Sequence, residues 1–166
     1  MNGPVDFHQM TVSPADPETL YGVHRVLQVS RDGGKTWTMA GPMPERLIDL
    51  AASARDADTL YAAGESGLSV SLDGGLTWKP LIEAAPVTMA ETTADGAVYA
   101  FVYGRGLVRA QEGVFNFETL GGDWGERFIL HLAVDPTDSS RLYAATGESE
   151  VLASTDGGKS WGPFGK

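Results

Sequence analysis

One eight-residue phrase occurs three times in this chain. It reads Ser30-Arg31-Asp32-Gly33-Gly34-Lys35-Thr36-Trp37, then Ser71-Leu72-Asp73-Gly74-Gly75-Leu76-Thr77-Trp78, then Ser154-Thr155-Asp156-Gly157-Gly158-Lys159-Ser160-Trp161. The first two copies start 41 residues apart and the last two 83 apart, about twice as far. A fixed period near 40 restricts the fold to stacked copies of one supersecondary unit, because no single unit of that size buries its own apolar surface. The missing copy is due near residue 112, where Arg109-Ala110-Gln111-Glu112-Gly113-Val114-Phe115-Asn116-Phe117 keeps a glycine and an aromatic end but has lost the Ser, Asp and Trp. A second marker lies upstream of every copy: Thr19-Leu20-Tyr21, Thr59-Leu60-Tyr61, Ala97-Val98-Tyr99 and Arg141-Leu142-Tyr143, with tyrosines 40, 38 and 44 apart. The third marker identifies the degenerate unit independently of its damaged phrase. Four units, at about 6–43, 44–84, 85–122 and 123–166, fill the 166 residues as one domain with no linker.

Each unit reads as four short strands. In the second, Leu47 to Ala52, Thr59 to Ala63, Leu68 to Ser71 and Thr77 to Ile82 are strand-length and bounded by turn residues. None of the four units has a helical apolar period. The predicted class is therefore all-β: a β-propeller of four four-stranded antiparallel blades, standing alone as a ring or forming part of a larger one.

The repeated phrase has a turn-building logic of its own. Asp32, Asp73 and Asp156 accept hydrogen bonds from N–H groups inside their own turn, and the following glycines, Gly34, Gly75 and Gly158 among them, permit positive φ. Ser30, Ser71 and Ser154 bond across the turn, while Trp37, Trp78 and Trp161 offer flat surfaces for packing between blades. Calcium binding is disfavoured, since no copy supplies the several carboxylates such a site prefers.

These three phrases resemble the Asp-box, or BNR, repeat of sialidases, sortilin, xyloglucanases and photosystem II assembly-factor-like propellers. The Asp-Pro…Leu-Tyr phrase that precedes the box in units one and four is similar to the bacterial sortilin-like and assembly-factor-like branch. The resemblance covers nearly the whole chain and speaks for fold more than for function. In sialidases the boxes sit on the outer rim, which implies a structural role here. It also implies a non-catalytic binding or assembly scaffold, with a glycosidase-like protein acting on sialic acid or another glycan as the alternative. It favours an extracytoplasmic location, although the chain as given shows no signal peptide.

Chemistry is sought on the inner strands. Aligning Val12, Ala52, Thr92 and Val134 sets Gln9, Asp49, Met89 and His131 at one level, with Thr11, Ala51, Glu91 and Ala133 two residues on and on the same face. The candidate ligand or channel group is therefore Gln9, Asp49, Met89, Glu91 and His131, and the catalytic candidates are Asp49, Glu91 and His131. The opposite residues, including Met10 and Val12, Leu50 and Ala52, and Leu130 and Leu132, read as packing. A metal at His8, His131 and Met89 would need three ligands from different strands to converge, and none is predicted. A sialidase would need an arginine cluster, of which only Arg46, Arg105, Arg109 and Arg127 are candidates. A xyloglucanase-like pair of opposed carboxylates could be drawn only from Asp49 with Glu91 or Asp123. Phe101, Tyr103, Phe115, Phe117 and Trp124, in the unit whose box has decayed, read as blade packing, with a partner surface as the sharper alternative.

Composition removes other classes. Twelve Lys and Arg against 22 Asp and Glu leave a net charge of −10, which argues against a phosphate-backbone partner. No apolar run reaches the roughly 20 residues of a membrane-spanning helix. With no cysteine there are no disulfides, thiolate metal sites or Cys nucleophile, and no cofactor is implied. The remaining partners are a protein or a glycan, and a second copy of the chain: an open propeller leaves unpaired edges, so self-association that completes the ring is the testable consequence of having four blades.

Overall fold

A computed structural model describes residues 6–165. Four antiparallel four-stranded sheets follow one another in chain order, each a simple meander. The first holds β1 (Gln9–Val12), β2 (Leu20–His24), β3 (Val26–Ser30) and β4 (Thr38–Gly41). The second holds β5 (Leu47–Ala52), β6 (Leu60–Gly64), β7 (Gly67–Ser71) and β8 (Lys79–Glu83). The third holds β9 (Val87–Thr92), β10 (Ala97–Val102), β11 (Gly106–Gln111) and the two-residue β12 (Glu118–Thr119). The fourth holds β13 (Ile129–Val134), β14 (Leu142–Thr146), β15 (Val151–Ser154) and the two-residue β16 (Gly162–Pro163). This is the all-β, four-bladed propeller-like architecture read from the repeat. The strands expected in unit two lie within two residues of those observed.

The blades stack because alternation gives each sheet two apolar faces. The tyrosine marker points to the following blade: Tyr21, Val23 and Leu27 pack on Leu50, Ala52, Leu60 and Ala62. Tyr61, Ala63 and Leu68 then pack on Ala90, Val98, Ala100 and Val108, and Met89, Tyr99, Phe101 and Leu107 pack on Leu132, Leu142, Ala144 and Leu152. Burial at roughly 25 cal/mol per Å² of apolar surface is the main force holding such a stack. Among the described residues three clusters occupy the three junctions between consecutive blades, and none joins blade four to blade one. The expectation that Met10, Val12 and Leu130 pack is corrected here: all three are exposed, Met10 and Val12 on a face of β1 that none of the other three described blades covers, Leu130 at a register shift in β13.

The boxes are hairpin clasps. Ser71 Oγ donates to Asp73 Oδ1 at 2.8 Å and accepts the Gly75 N–H at 2.8 Å, while Asp73 accepts the Thr77 N–H at 2.9 Å and the Thr77 hydroxyl. The Ser30–Asp32–Thr36 and Ser154–Asp156–Ser160 sets repeat the pattern. Each turn also donates back to the first turn of its own blade, Gly33 to Glu18 O, Gly74 to Asp58 O and Gly157 to Ser140 O, so box and first turn lie at the same end of the blade. Trp78 donates to Pro42 O of the preceding blade, and Trp161 stacks edge-on with Trp124 at 5.4 Å. Trp37 and Trp161 each donate to the second glycine of their own box, Gly34 O at 3.0 Å and Gly158 O at 3.2 Å, and Trp37 packs on Phe7.

Candidate functional site

The inner strands β1, β5, β9 and β13 gather around a small hollow of about 190 Å³ whose lining includes Thr11, Asp49, Ala51, Glu91 and His131. Of the sequence-derived group, Asp49, Glu91 and His131 come together there. Gln9 lies on the same face, but its amide reaches across to donate to Ile48 O of blade two at 2.7 Å. Met89 does not open to the hollow: it is fully buried between blades three and four.

Two members of the shared level, Gln9 and Asp49, are thus straps between inner strands, and two threonines of β9 outside that level add others. Asp49 Oδ2 accepts the Ala90 N–H of blade three at 3.0 Å, and Thr88 Oγ1 donates to Ile129 O of blade four at 2.6 Å. Thr92 Oγ1 donates back to Ala52 O at 2.7 Å. His131, the corresponding residue of blade four, lines the hollow and is exposed.

Burial dominates the electrostatics of the hollow. It raises the Asp49 carboxyl above its ordinary range, offset by the Ala90 and Leu50 N–H groups and by His131. Glu91 is pushed up to about 7, by burial first and by the Asp49 charge on the same side; the Thr92 N–H opposes. A carboxyl poised near neutrality can exchange a proton at physiological pH. Among the described residues no group of three or more His, Cys, Asp or Glu is arranged to hold a metal ion.

Above the hollow, on the box side, the four first turns enclose a mouth of about 590 Å³. Its walls carry Pro14, Ala54, Ala94 and Pro136, one from each blade. Each stands two residues beyond the end of its inner strand. That offset is visible in the sequence once the inner strands are aligned, and sequence reasoning centred on ionisable residues missed it. Val134, Asp95, Asp135 and the hydroxyl residues Thr92, Thr93, Thr137 and Ser139 complete the wall. The mouth and the hollow share Pro14 and Thr92, so one opens onto the other.

The aromatic residues of the third unit divide. Phe101 and Trp124 are buried against blade four, 5.3 Å apart and edge to face, and Phe115 and Phe117 pack on the cluster between blades two and three. Only Tyr103 of the five is exposed. Two hollows of about 430 and 260 Å³ flank Trp124, sharing Gly122 and Arg127. The Arg candidates do not form a cluster: Arg46 pairs with Glu65, Arg109 with Asp95 at 3.7 Å and Arg127 with Glu150 at 3.4 Å, while Arg105 bonds Phe117 O and Thr119.

Comparison with known proteins agrees with this geometry. Residues 28–39 match the model of the BNR/Asp-box repeat. No curated protein matches the chain. Among solved structures, a GH74 enzyme of Niastella koreensis superposes with a TM-score of 0.76 at 18% identity, over 99% of this chain and 25% of that one. The extracellular domain of a putative hybrid two-component system of B. thetaiotaomicron gives 0.71 at 13% identity, over 98% and 22%. An auxiliary nutrient binding protein of Bacteroides thetaiotaomicron gives 0.69 at 14%, over 89% and 37%. In each case this chain spans well under half of the other's length.

Proposed function

We propose that this BNR-repeat propeller is a non-catalytic binding scaffold acting outside the cytoplasm, and that its ligand is a protein segment seated in the mouth formed by the four first turns. The observation that carries this reading is the division of labour between the two spaces. Gln9 and Asp49 of the polar inner ring are engaged in strapping blades together, around a hollow of about 190 Å³, smaller than the roughly 300–1,000 Å³ of ordinary small-molecule sites. The mouth lies within that range, and Pro14, Ala54, Ala94, Val134 and Pro136 offer contacts for apolar side chains beside the hydroxyls of Thr92, Thr93, Thr137 and Ser139, which suit main-chain groups of a peptide. The rim is acidic, with Asp16, Asp56, Asp95 and Asp138 in the four turns, so basic flanking residues would complement it. The extracellular setting of the B. thetaiotaomicron neighbour and the binding role named for the other support location and class.

A glycan in the same mouth is the alternative occupant. One observation favours a second reading, a glycoside hydrolase: Glu91, whose pKa burial raises to about 7 beside Asp49, can keep its proton near neutral pH as a general acid must. Binding to peptide and glycan arrays, run beside a panel of fluorogenic glycosides, separates these readings. The scaffold predicts peptide binding without turnover, and at least a tenfold loss on filling the mouth with Ala94→Trp. Turnover abolished by Asp49→Asn or Glu91→Gln would replace the scaffold with the enzyme.

A further inference from the structure

The three internal junctions are not filled alike toward the outside. Between blades one and two the wedge is packed by Met43 of the linker and Trp78 of the box, and between blades two and three by Leu81, Ile82, Phe115 and Phe117. Between blades three and four Leu120 and Trp161 pack, but a hollow of about 430 Å³ remains. The cause is local. The outer strand β12 is cut to two exposed residues, Glu118 and Thr119, so it sends no apolar side chain into the wedge. The linker that follows covers residues 120–128, against 42–46 and 84–86 at the other junctions, and carries Gly121, Gly122 and Gly125.

Trp124 stands in that linker as a partition. The larger hollow lies on one side of it, with Leu152, Trp161 and Pro163 in its walls, and the 260 Å³ hollow on the other, with Phe101 and Tyr103. Trp124 is 8% exposed, and its Nε1–H has no hydrogen-bond partner among the described residues. Gly106 and Gly122 border that nitrogen: a Cβ on them would fall 3.2 and 2.6 Å from it, and both line the smaller hollow. A buried N–H without an acceptor is costly, and an oxygen brought into that hollow supplies one. The charges are balanced as well. The larger hollow is lined by Arg127 and Lys159 and by Asp123 and Glu150, in a chain of net charge −10, whereas the lining of the mouth holds Asp95 and Asp135 and no Lys or Arg.

We infer that the wedge between blades three and four is a second docking site, which takes an extended protein segment and buries one uncharged apolar or aromatic side chain of it against Trp124 and Trp161. The chain itself indicates the occupant, because Met, Leu, Ile and Phe side chains carried on outer strands, turns and linkers fill the same wedge at the other two junctions. Balanced charge matches an uncharged side chain rather than the basic segment suited to the mouth, and Trp, Tyr and Arg are the residues on which such contacts concentrate. The site is independent of which ligand the mouth takes.

N-acetyl-phenylalaninamide, an uncharged side chain between two peptide groups, is the probe, and the indole N–H signals in NMR are the readout. As it is added, the Trp124 and Trp161 signals move and saturate with a dissociation constant on the order of 1 mM, while those of Trp37 and Trp78 stay still. N-acetyl-lysinamide and methyl β-glucoside leave all of these signals in place. Gly162→Phe fills the larger hollow from a position where a Cβ meets nothing within 4 Å. It weakens binding by about tenfold or more with circular dichroism unchanged, and Ala94→Trp, which blocks the mouth, leaves binding unaltered. Trp124 and Trp161 signals that do not move in the unaltered protein would overturn the inference, whatever the variants do. So would an equal response to the glucoside, which would mark a sugar site, or undiminished binding by the Gly162→Phe chain, which would put the probe elsewhere.

Discussion

The second box and the third turn occupy the same place in adjacent blades and solve the same problem with different chemistry. In the second, Ser71, Asp73 and Thr77 tie the turn with side-chain hydrogen bonds, and Gly75 makes room for Leu27. In the third, Ala110 and Glu112 stand where Ser71 and Asp73 would be. The turn is closed by main-chain bonds instead, with the Val114 and Phe115 N–H groups both donating to Gln111 O. Tyr61 of the preceding blade donates to Glu112 Oε1 at 3.0 Å, and Phe115 and Phe117 pack where a tryptophan is otherwise found. Val114, in the place of Gly75, points into solvent. The clasp is therefore a local device: where packing from the neighbouring blade holds a turn, the box residues are free to change.

The sharpest way to break this comparison is at the glycines. Gly75→Ala adds a methyl group where Leu27 already lies, at a φ of 92°. Strain and overpacking together are expected to cost about 3 kcal/mol or more, seen as a fall in the urea midpoint. Gly113→Ala, at a φ of 81° with nothing within 4 Å, carries backbone strain alone and costs about 1 kcal/mol. Equal losses would mean that the box glycine is needed only for its backbone and receives no neighbour.

Ser71→Ala ranks next. It leaves the buried Gly75 N–H without its acceptor and removes the donor to Asp73, at about 2 kcal/mol. Alanine is the residue already found at position 110, so a negligible cost would erase the distinction between the two turns. Tyr61→Phe tests the substitute tie from the other side and is expected to cost about 1 kcal/mol, because its hydroxyl is the donor that reaches Glu112. The same loss in a Glu112→Ala background would show that the Tyr61 hydroxyl contributes by some other contact.

The comparison also marks what could be read from the chain beforehand. Turn chemistry is local, so three boxes and four tyrosine markers identify the blades, their order and even the damaged unit. The level of Gln9, Asp49, Met89 and His131 was legible for the same reason, since an inner strand carries one residue of each kind at one height. Which way that level turns was not. Alternation assigns residues to two faces, but only the neighbouring blade decides whether a face is channel, strap or core; hence Met89 is buried and Gln9 bonds Ile48. Met10 and Leu50 are equivalent in the strand alignment and opposite in exposure because Tyr21, Val23 and Leu27 of blade one cover Leu50, while none of the other three described blades covers Met10. The mouth escaped notice for a different reason: Pro14, Ala54, Ala94 and Pro136 carry no ionisable group, and their importance lies wholly in their common position.

The smallest expected effect is electrostatic and confined to the clasps. Hydrogen bonds from the Thr36 and Thr77 N–H and hydroxyl groups hold the carboxyls of Asp32 and Asp73 down to about 2, and those from Ser160 lower Asp156 similarly. A depressed carboxyl stabilises the folded state above its ordinary pKa near 3.8, and that contribution is lost as pH falls through the folded value. Between about pH 4 and 2 the amide signals of Thr36, Thr77 and Ser160 should therefore shift together in an NMR titration, following carboxylates with midpoints well below the ordinary one. The Phe115 amide of the third turn, which bonds to the Gln111 main-chain oxygen, should stay still through the same window. Midpoints near 3.8 in the boxes would mean that the serine and threonine bonds do not hold the charge. An equal response from Phe115 would mean that acid loosens the whole stack at once, in which case the clasps have no titration of their own.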